Sequence, residues 1–258
     1  MGAANAGDFN YDRHGHGYAR RRQADPRIAA VIHGALGSAR TVLNVGVGAG
    51  SYEPADRCVL AVEPSATMRA QRPPHLAVAI RGLAEALPLD DAAVDASMAI
   101  LTVHQWPDQV AGLREVRRVT RGPVVILTFD PGAFDRFWLF EYAPELAEIE
   151  RRRFPAIETI RAALGETEVR PVPVPLDCTD GFAESFYGRP ESFLEPAVRR
   201  AQSGWGFLEA GSEERIVCAL SRDLETGAWD RRHGALRARP TFDGAVRIVL
   251  RRREFRRT

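Results

Sequence analysis

The chain has 258 residues, with 35 basic and 34 acidic side chains and a formal net charge of +1. This balance gives no electrostatic reason to expect a nucleic acid or an anionic membrane as a partner. Its three cysteines are widely spaced and lack C-x-x-C pairing, which supports neither a disulfide framework nor a metal site. No apolar run approaches the roughly 18 residues that a membrane span needs. We therefore expect a cytoplasmic protein that acts on a small molecule and binds no metal.

Residues 1–24 are predicted to form a flexible N-terminal segment, because glycine, arginine and small polar residues dominate it. A helix follows this segment. Asp25 is a typical capping residue in front of Pro26, apolar residues between positions 28 and 36 share one helical face, and Gly37 ends the pattern.

The stretch Thr41–Gly50, TVLNVGVGAG, predicts a buried parallel strand and then a turn whose glycines let the backbone approach a ligand. A second apolar run, Cys58–Val62, ends at Glu63, whose carboxylate can accept both ribose hydroxyls of an adenosine. Dinucleotide-binding enzymes use G-x-G-x-x-G, whereas Ser51 here leaves the pattern G-x-G-x-G. The spacing therefore favours an adenosyl ligand without a pyrophosphate.

Strands and helices continue to alternate as far as Asp130, which predicts a doubly wound α/β sheet. Open sheets of this kind bind ligands at the carboxyl ends of their strands, where the chain places His104, Trp106 and Asp130. The predicted elements are helices over 65–72 and from Pro107, and strands over 77–81, 94–103 and 124–128.

After Pro131 the chain becomes rich in aromatic residues. The amphipathic stretch over about 131–153 predicts an apolar lid over a substrate, or alternatively a dimer surface. Residues 168–175 alternate valine and proline, which predicts an edge strand, with 245–250 as its antiparallel partner. The remaining predictions are a helix over 155–164 and a helical insertion over about 177–243 that contains helices over 192–202 and 212–225.

Four motifs in register resemble the class I S-adenosylmethionine-dependent methyltransferases of the small-molecule, methyltransferase type 11-like family. The motifs are Gly46–Gly50, Glu63-Pro64-Ser65 with Met68, Ala84–Pro88 and His104–Asp108. The resemblance is firm over roughly residues 11–130 and weakens to a matching order of elements afterwards. It implies a Rossmann-like seven-stranded sheet in the order 3-2-1-4-5-7-6, with strand 7 antiparallel, in a methyltransferase domain over 25–258.

The resemblance also implies S-adenosylmethionine as the cofactor and S-adenosylhomocysteine as the product. Related methyltransferases close an N-terminal segment over the cofactor; the alternative for residues 1–24 is a flexible polar lead-in. Two positions depart from the family pattern, because Asn44 and Leu83 stand where it has acids. The implied cofactor-binding residues are Tyr11, Tyr18, Asn44, Gly46, Val47, Gly48, Gly50, Glu63, Pro64, Met68, Ala84, Glu85 and Leu101.

Transfer of a methyl group to a hydroxyl requires a base that removes the hydroxyl proton. His104 is the best candidate, because an imidazole with an ordinary pKa near 6.5 suits this task. Sugar O-methyltransferases of similar layout place a histidine and an aspartate at corresponding strand ends, so Asp130 is the predicted orienting partner. Alternatively, His104 only packs and Asp130 begins a turn. The predicted substrate contacts are Trp106, Phe134, Trp138, Tyr142 and Tyr187, and a lower-ranked polar cluster contains Asp177, Asp180 and Glu184.

The sequence thus predicts O-methylation of a small, largely apolar or aromatic or glycosylated metabolite in secondary metabolism. Two other classes stay open. Asn44 and Leu83 are compatible with a scaffold or regulator that binds the cofactor without transferring its methyl group. A dinucleotide oxidoreductase is disfavoured by Ser51.

Overall fold

The computed structural model describes residues 8–15 and 17–252. Residues 1–7, the beginning of the predicted flexible segment, lie outside the described residues, as does His16. Residues 253–258 of the predicted domain also lie outside them. No helix among the described residues is both long enough and apolar enough to cross a membrane.

The centre of the fold is a seven-stranded sheet in the order β3-β2-β1-β4-β5-β9-β6. Strands β1 to β5 pair in parallel, and β9 runs antiparallel to both β5 and β6. The predicted strand order and the antiparallel strand near the edge are confirmed. The strands are β1 (Thr41–Val45), β2 (Cys58–Val62), β3 (Ala79–Ile80), β4 (Ala96–Ile100), β5 (Val124–Phe129), β6 (Glu168–Pro171), β7 (Val174–Pro175), β8 (Thr241–Phe242) and β9 (Val246–Arg251).

The predicted edge strand over 168–175 is divided in two. Its first part, β6, pairs with β9, whereas its second part, β7, leaves the sheet and pairs with β8. Proline cannot donate to a strand ladder, and Pro171 and Pro173 lie at the point where the strand changes partner.

Helices cover both faces of the sheet. They are α1 (Tyr11–His14), α2 (Pro26–Ala35), α3 (Ala66–Ala70), α4 (Gln109–Val119), α5 (Leu139–Tyr142), α6 (Pro144–Arg153), α7 (Ile157–Leu164), α8 (Pro196–Arg200), α9 (Ser212–Glu225) and α10 (Ala228–His233). The predicted cap of α2 is present, since the Asp25 side chain accepts from the Arg27 N–H. The single helix predicted over 192–202 is wrong. A 3-10 turn (Pro190–Leu194) precedes α8 there, because Pro196 lacks the N–H that a continuous helix would need.

The core continues from the sheet into the lid and the insertion. Val42 and Leu43 of β1 point to opposite faces of the sheet. Leu43 packs in the cluster that includes α4 and α7, whereas Val42 packs in the cluster that includes α2, the lid and the insertion. We call residues 131–153 together with 177–243 the cap. The cap therefore shares a hydrophobic core with one face of the sheet.

Candidate active site

A cavity of about 920 Å³, including its open mouth, lies at the carboxyl ends of β1, β2 and β4. We call it the first cavity. The backbone of the glycine loop forms part of its wall, with Gly46 at φ +67°. A Cβ on Gly46 would lie 2.1 Å from the Thr102 Oγ1, so only glycine fits. The loop thus exposes its peptide groups to a ligand, and at Gly46 there is no space for a side chain.

Glu63 is the buried acid of the first cavity, with 6% of its surface exposed. One carboxylate oxygen accepts the Gly48 N–H at 2.8 Å and the other accepts the Ser65 N–H at 2.9 Å. Burial raises the pKa of Glu63, and these two hydrogen bonds oppose the rise. Each oxygen keeps a second lone pair, so the carboxylate can still accept a pair of hydroxyls such as those of a ribose.

Two residues of the first cavity bear on the positions that depart from the family pattern. Asn44 is 1% exposed, and its Nδ2 donates to Glu53 at 3.4 Å. The Glu53 carboxylate therefore lies within hydrogen-bond distance of the Asn44 amide. Glu85 accepts the Asp108 N–H through Oε1 at 3.0 Å, whereas its Oε2 is buried without a hydrogen-bond partner among the described residues. That free oxygen can accept a donor from a ligand, a role that Leu83 cannot perform.

The described part of the N-terminal segment contributes to the walls of both cavities of the site. Tyr11 and Tyr18 line the first cavity and the second, described next. Asp12 accepts from the Ser65 hydroxyl at 2.6 Å, and this hydrogen bond keeps the pKa of Asp12 below its usual range. Arg22 pairs with Asp180 at 2.6 Å. The segment is thus attached to the cofactor side of the site through Asp12 and to the cap through Arg22.

A second cavity of about 720 Å³ adjoins the first and shares Tyr11, Tyr18, Arg22 and Leu101 with it. Leu101 has a φ of +52°, an uncommon backbone conformation for a branched residue, at the junction of the two cavities. The wall of the second cavity is mostly aromatic and includes Phe129, Phe134, Phe137, Phe140, Phe154 and Trp205. Its polar members include His104, Glu150, Glu184 and Gln202. Such a wall suits an apolar ligand with a few polar groups.

His104 lines the second cavity, and its ring stacks on Phe154 with centroids 4.1 Å apart. The Gln105 amide fits its neighbours when its oxygen accepts from His104 Nε2 at 2.8 Å and its nitrogen donates to Asp8. This orientation places the ring proton on Nε2 and leaves Nδ1 with its lone pair. Nδ1 is buried and has no hydrogen-bond partner among the described residues.

The imidazole of His104 is held in its neutral form. Burial lowers the pKa of His104 well below its usual value, and the charges of Arg153 and Arg22 lower it further. A neutral ring with a free Nδ1 can accept a proton from a ligand. The site therefore contains a proton acceptor at the edge of an apolar cavity.

Asp130 does not contact His104 within the described part of the chain. Its carboxylate caps the 3-10 turn Pro131–Arg136 by accepting the Gly132 N–H at 3.0 Å, and it lies 3.8 Å from Arg247. Asp130 lines neither cavity. The alternative that Asp130 begins a turn describes this geometry, and Gln105 stands in the predicted orienting position.

The other predicted site residues divide by cavity. Twelve of the thirteen predicted cofactor residues line the first cavity. The exception, Gly50, shapes the loop, since a Cβ there would lie 2.3 Å from Leu76. Of the predicted substrate contacts, Trp106 lines the first cavity and Phe134 lines the second.

Trp138, Tyr142 and Tyr187, which were predicted as substrate contacts, line neither cavity. All three pack within the hydrophobic core of the cap. Trp138 Nε1 donates to the Tyr187 carbonyl at 2.8 Å, and the Tyr142 hydroxyl bonds Asp223 at 3.0 Å. Their polar atoms are satisfied within the cap, so the geometry does not support substrate contacts at these three positions.

Several lining residues have no counterpart in the predictions. Only Gln105 has a signal in the sequence, because it lies inside the motif that contains His104. Nothing in the sequence separates the others from residues that merely support the fold. They include Tyr52, Glu150, Phe154, Gln202 and Trp205. No cluster of three or more metal-ligating side chains occurs within residues 8–15 and 17–252.

Comparisons with known proteins agree with this geometry. A family model described as a methyltransferase domain matches residues 43–128. A structure from Anabaena variabilis, of a candidate methyltransferase from an antibiotic biosynthesis pathway, is 30% identical, and the match covers 90% of this chain and 99% of that one with a TM-score of 0.83. A search of curated proteins finds no match.

Two more distant structures share the fold. An S-adenosylmethionine-dependent methyltransferase from Thermotoga maritima, suggested to be a histamine N-methyltransferase, is 21% identical over 64% of this chain and 84% of that one, with a TM-score of 0.51. A candidate sarcosine dimethylglycine methyltransferase from Galdieria sulphuraria is 13% identical over 88% of this chain and 85% of that one, also with a TM-score of 0.51.

Proposed function

Because this chain belongs to the class I S-adenosylmethionine-dependent methyltransferases of small molecules, we propose that it methylates a hydroxyl group of a largely apolar, aromatic metabolite. The cofactor would occupy the first cavity and the acceptor the second. One observation carries the choice of a hydroxyl. His104 offers a neutral, unpartnered Nδ1 in the aromatic cavity that adjoins the cofactor site.

The residues of the first cavity fit the cofactor. The Glu63 carboxylate suits the ribose hydroxyls, the free Oε2 of Glu85 suits an amino group, and the backbone of Gly46 and Gly48 forms part of the cavity wall. When bound, S-adenosylmethionine supplies a methyl group that its sulfonium charge makes electrophilic. The protein then has to orient the acceptor, exclude water and take up a proton.

The chain's own residues provide these functions in the second cavity. The aromatic wall binds an apolar acceptor and excludes water. His104 takes the hydroxyl proton at Nδ1 as the oxygen becomes the nucleophile. Gln105 and Phe154 act as positioning residues, since one bonds the opposite ring nitrogen and the other stacks on the ring.

The setting of the reaction is part of the proposal. The Anabaena variabilis relative is named for an antibiotic biosynthesis pathway, which supports secondary metabolism as the source of the acceptor. A glycosylated acceptor, a cytoplasmic location and a homodimer stay predictions from the sequence.

The first prediction tests the base. We would measure S-adenosylhomocysteine release with phenolic acceptors and with matched aromatic amines, for the wild type and for His104→Asn. We expect turnover of phenols, and a loss of about 100-fold in kcat for His104→Asn, because general-base catalysis contributes about that much. Since burial lowers the pKa of His104, its protonation should not reduce the wild-type rate between pH 7 and pH 6.

Asp130→Asn is the matched control, and it should keep kcat within about 3-fold because Asp130 lines neither cavity. Binding of S-adenosylhomocysteine and the melting temperature of each variant show whether the fold is intact. Equal rates for His104→Asn and the wild type, or methylation of amines alone, would contradict the proposal.

A further inference from the structure

Two residues that line the second cavity carry a buried hydrogen-bond donor without a partner among the described residues. The Trp205 Nε1 and the Gln202 Nε2 are buried, and neither has a hydrogen-bond partner within the described part of the chain. Both residues line the cavity, and Trp205 is only 6% exposed. A buried donor without an acceptor is unfavourable, and binding sites contain such donors where a ligand supplies the acceptor.

The cap holds both donors in place. Gln202 precedes the 3-10 turn Ser203–Phe207 that carries Trp205, and the backbone N–H of Trp205 donates to the Gln202 carbonyl at 3.3 Å. The Arg199 guanidinium lies 5.8 Å from the centre of the Trp205 ring. Arg199 itself is fixed by Glu213 and by the Phe193 carbonyl, each at 2.6 Å. The indole N–H is therefore a positioned group.

The same turn is connected to the proposed base. The Ser203 hydroxyl accepts from Arg153 at 2.9 Å, and it donates to the Gln105 oxygen that also accepts from His104. The turn that carries Trp205 is thus joined to His104 through Ser203 and Gln105. A rigid substrate can meet both only if its two polar groups have a fixed separation.

The charges around the cavity select the kind of acceptor atom. Glu150 and Glu184 both line it, and burial raises the pKa of each carboxyl to about 7. Arg22 is the one cation among the described lining residues, and it is already paired with Asp180. Arg153, whose charge also acts on His104, is already paired with Glu150 and Asp8. A substrate carboxylate or phosphate would therefore lie near two acids without a free cation, which disfavours it. A neutral oxygen meets no such penalty.

We propose that Trp205 and Gln202 form a specificity site for a neutral carbonyl oxygen of the acceptor. The substrate class is then a hydroxylated aromatic ketone or quinone, whose hydroxyl faces His104 and whose carbonyl faces the two donors. This inference rests on the proposed function for the placement of the hydroxyl, whereas the carbonyl site depends only on the second cavity.

The test uses two compounds that differ by the carbonyl alone, 7-hydroxy-1-tetralone, whose hydroxyl is meta to the carbonyl and not conjugated with it, and 5,6,7,8-tetrahydro-2-naphthol. We would titrate each into the full-length protein saturated with S-adenosylhomocysteine and measure the dissociation constant by calorimetry. The wild type should bind the ketone about 10-fold more tightly, the effect of one well-placed hydrogen bond. Trp205→Phe and Gln202→Leu should each reduce this preference, and the double variant should abolish it, so that the ratio of the two dissociation constants falls to about 1 whatever the change in naphthol affinity.

Trp229→Phe is a matched control, because Trp229 Nε1 is also buried without a partner but Trp229 does not line the cavity. That variant should keep the preference. Failure of the wild type to bind the ketone, equal binding of the two compounds, or a preference that survives in the double variant would overturn the inference. Preferential binding without methylation would instead contradict the proposed function and leave the carbonyl site standing.

Discussion

The first cavity is built mainly from one stretch of chain, residues 44–107, whereas the second draws on five separate parts of it. The first presents peptide groups and a carboxylate that backbone N–H groups hold in place. The second presents side chains, most of them aromatic, that only the packing of the cap brings together. The difference matches their tasks, since the first must fit one cofactor and the second must select an acceptor.

If the backbone of the glycine loop defines the first cavity, adding one methyl group to that backbone should cause the largest loss of stability and of cofactor binding. We expect Gly46→Ala to destabilise the protein by about 3 kcal/mol and to weaken S-adenosylhomocysteine binding by more than about 100-fold, because the new Cβ meets Thr102 at a positive φ. Urea denaturation and calorimetry measure the two effects.

Gly37→Ala separates backbone strain from collision. Gly37 has a similar φ of +60°, but a Cβ there meets nothing within 4 Å. In this control the free energy of unfolding should fall by only about 1 kcal/mol, and cofactor binding should be unchanged. If both variants bound S-adenosylhomocysteine like the wild type, the backbone would not define the first cavity.

A smaller effect is expected on the pH dependence of the free energy of unfolding when a buried carboxyl of the second cavity is removed. Burial raises the pKa of Glu150 from its ordinary 4.5 to about 7, so between these values the folded state binds more protons than the unfolded state. The folded protein should therefore lose stability as pH rises through this window. Glu150→Gln removes that loss, and its free energy of unfolding relative to the wild type should increase by about 2 kcal/mol between pH 5 and pH 8.

Glu148→Gln is the control for this measurement. Glu148 lies on the same helix, α6, and its side chain is 58% exposed. Its substitution should leave the pH dependence of stability unchanged. If Glu150→Gln behaves like Glu148→Gln in urea denaturation across this pH range, the buried carboxyl does not oppose folding.

The smallest expected effect is on the preference of the first cavity for adenine over another nucleobase. The free Oε2 of Glu85 should accept the amino group of adenine, so the wild type should prefer S-adenosylhomocysteine over S-inosylhomocysteine by about 10-fold. Glu85→Gln places a donor at that position and should reduce the preference.

Glu115→Gln is the control, since Glu115 bonds the Leu87 N–H and does not line the first cavity. Calorimetry with the two nucleosides measures the preference in each variant. If Glu85→Gln kept the full wild-type preference, Glu85 would not contribute to the recognition of the adenine amino group.

Much of the first cavity could be predicted because its determinants are local. A glycine that must avoid Thr102 and an acid at the end of β2 lie within about twenty residues of each other, at a fixed position relative to two strands. Strand periodicity and the rule that parallel strands end at one edge were sufficient to bring Gly46 and Glu63 together.

The second cavity was only partly predictable, because position at a strand end does not fix the direction of a side chain. Asp130 follows β5 as expected, yet its carboxylate caps the next turn, since an unpaired N–H of that turn is nearer than His104. In the same way, the aromatic pattern of the lid cannot distinguish Phe134, which lines the cavity, from Trp138, which fills the core.

The sequence by itself determined a doubly wound sheet and the glycine loop, because short-range periodicity and glycine geometry specify them. The strand order and the antiparallel strand followed from the family resemblance that its motifs carry. Only the tertiary structure decided which polar atoms stay unpaired in the second cavity. Gln105 and Ser203 lie 98 residues apart in the chain, and their contact depends on how the cap packs against the sheet. That packing depends on shape and burial over the whole cap, which no local pattern of residues encodes.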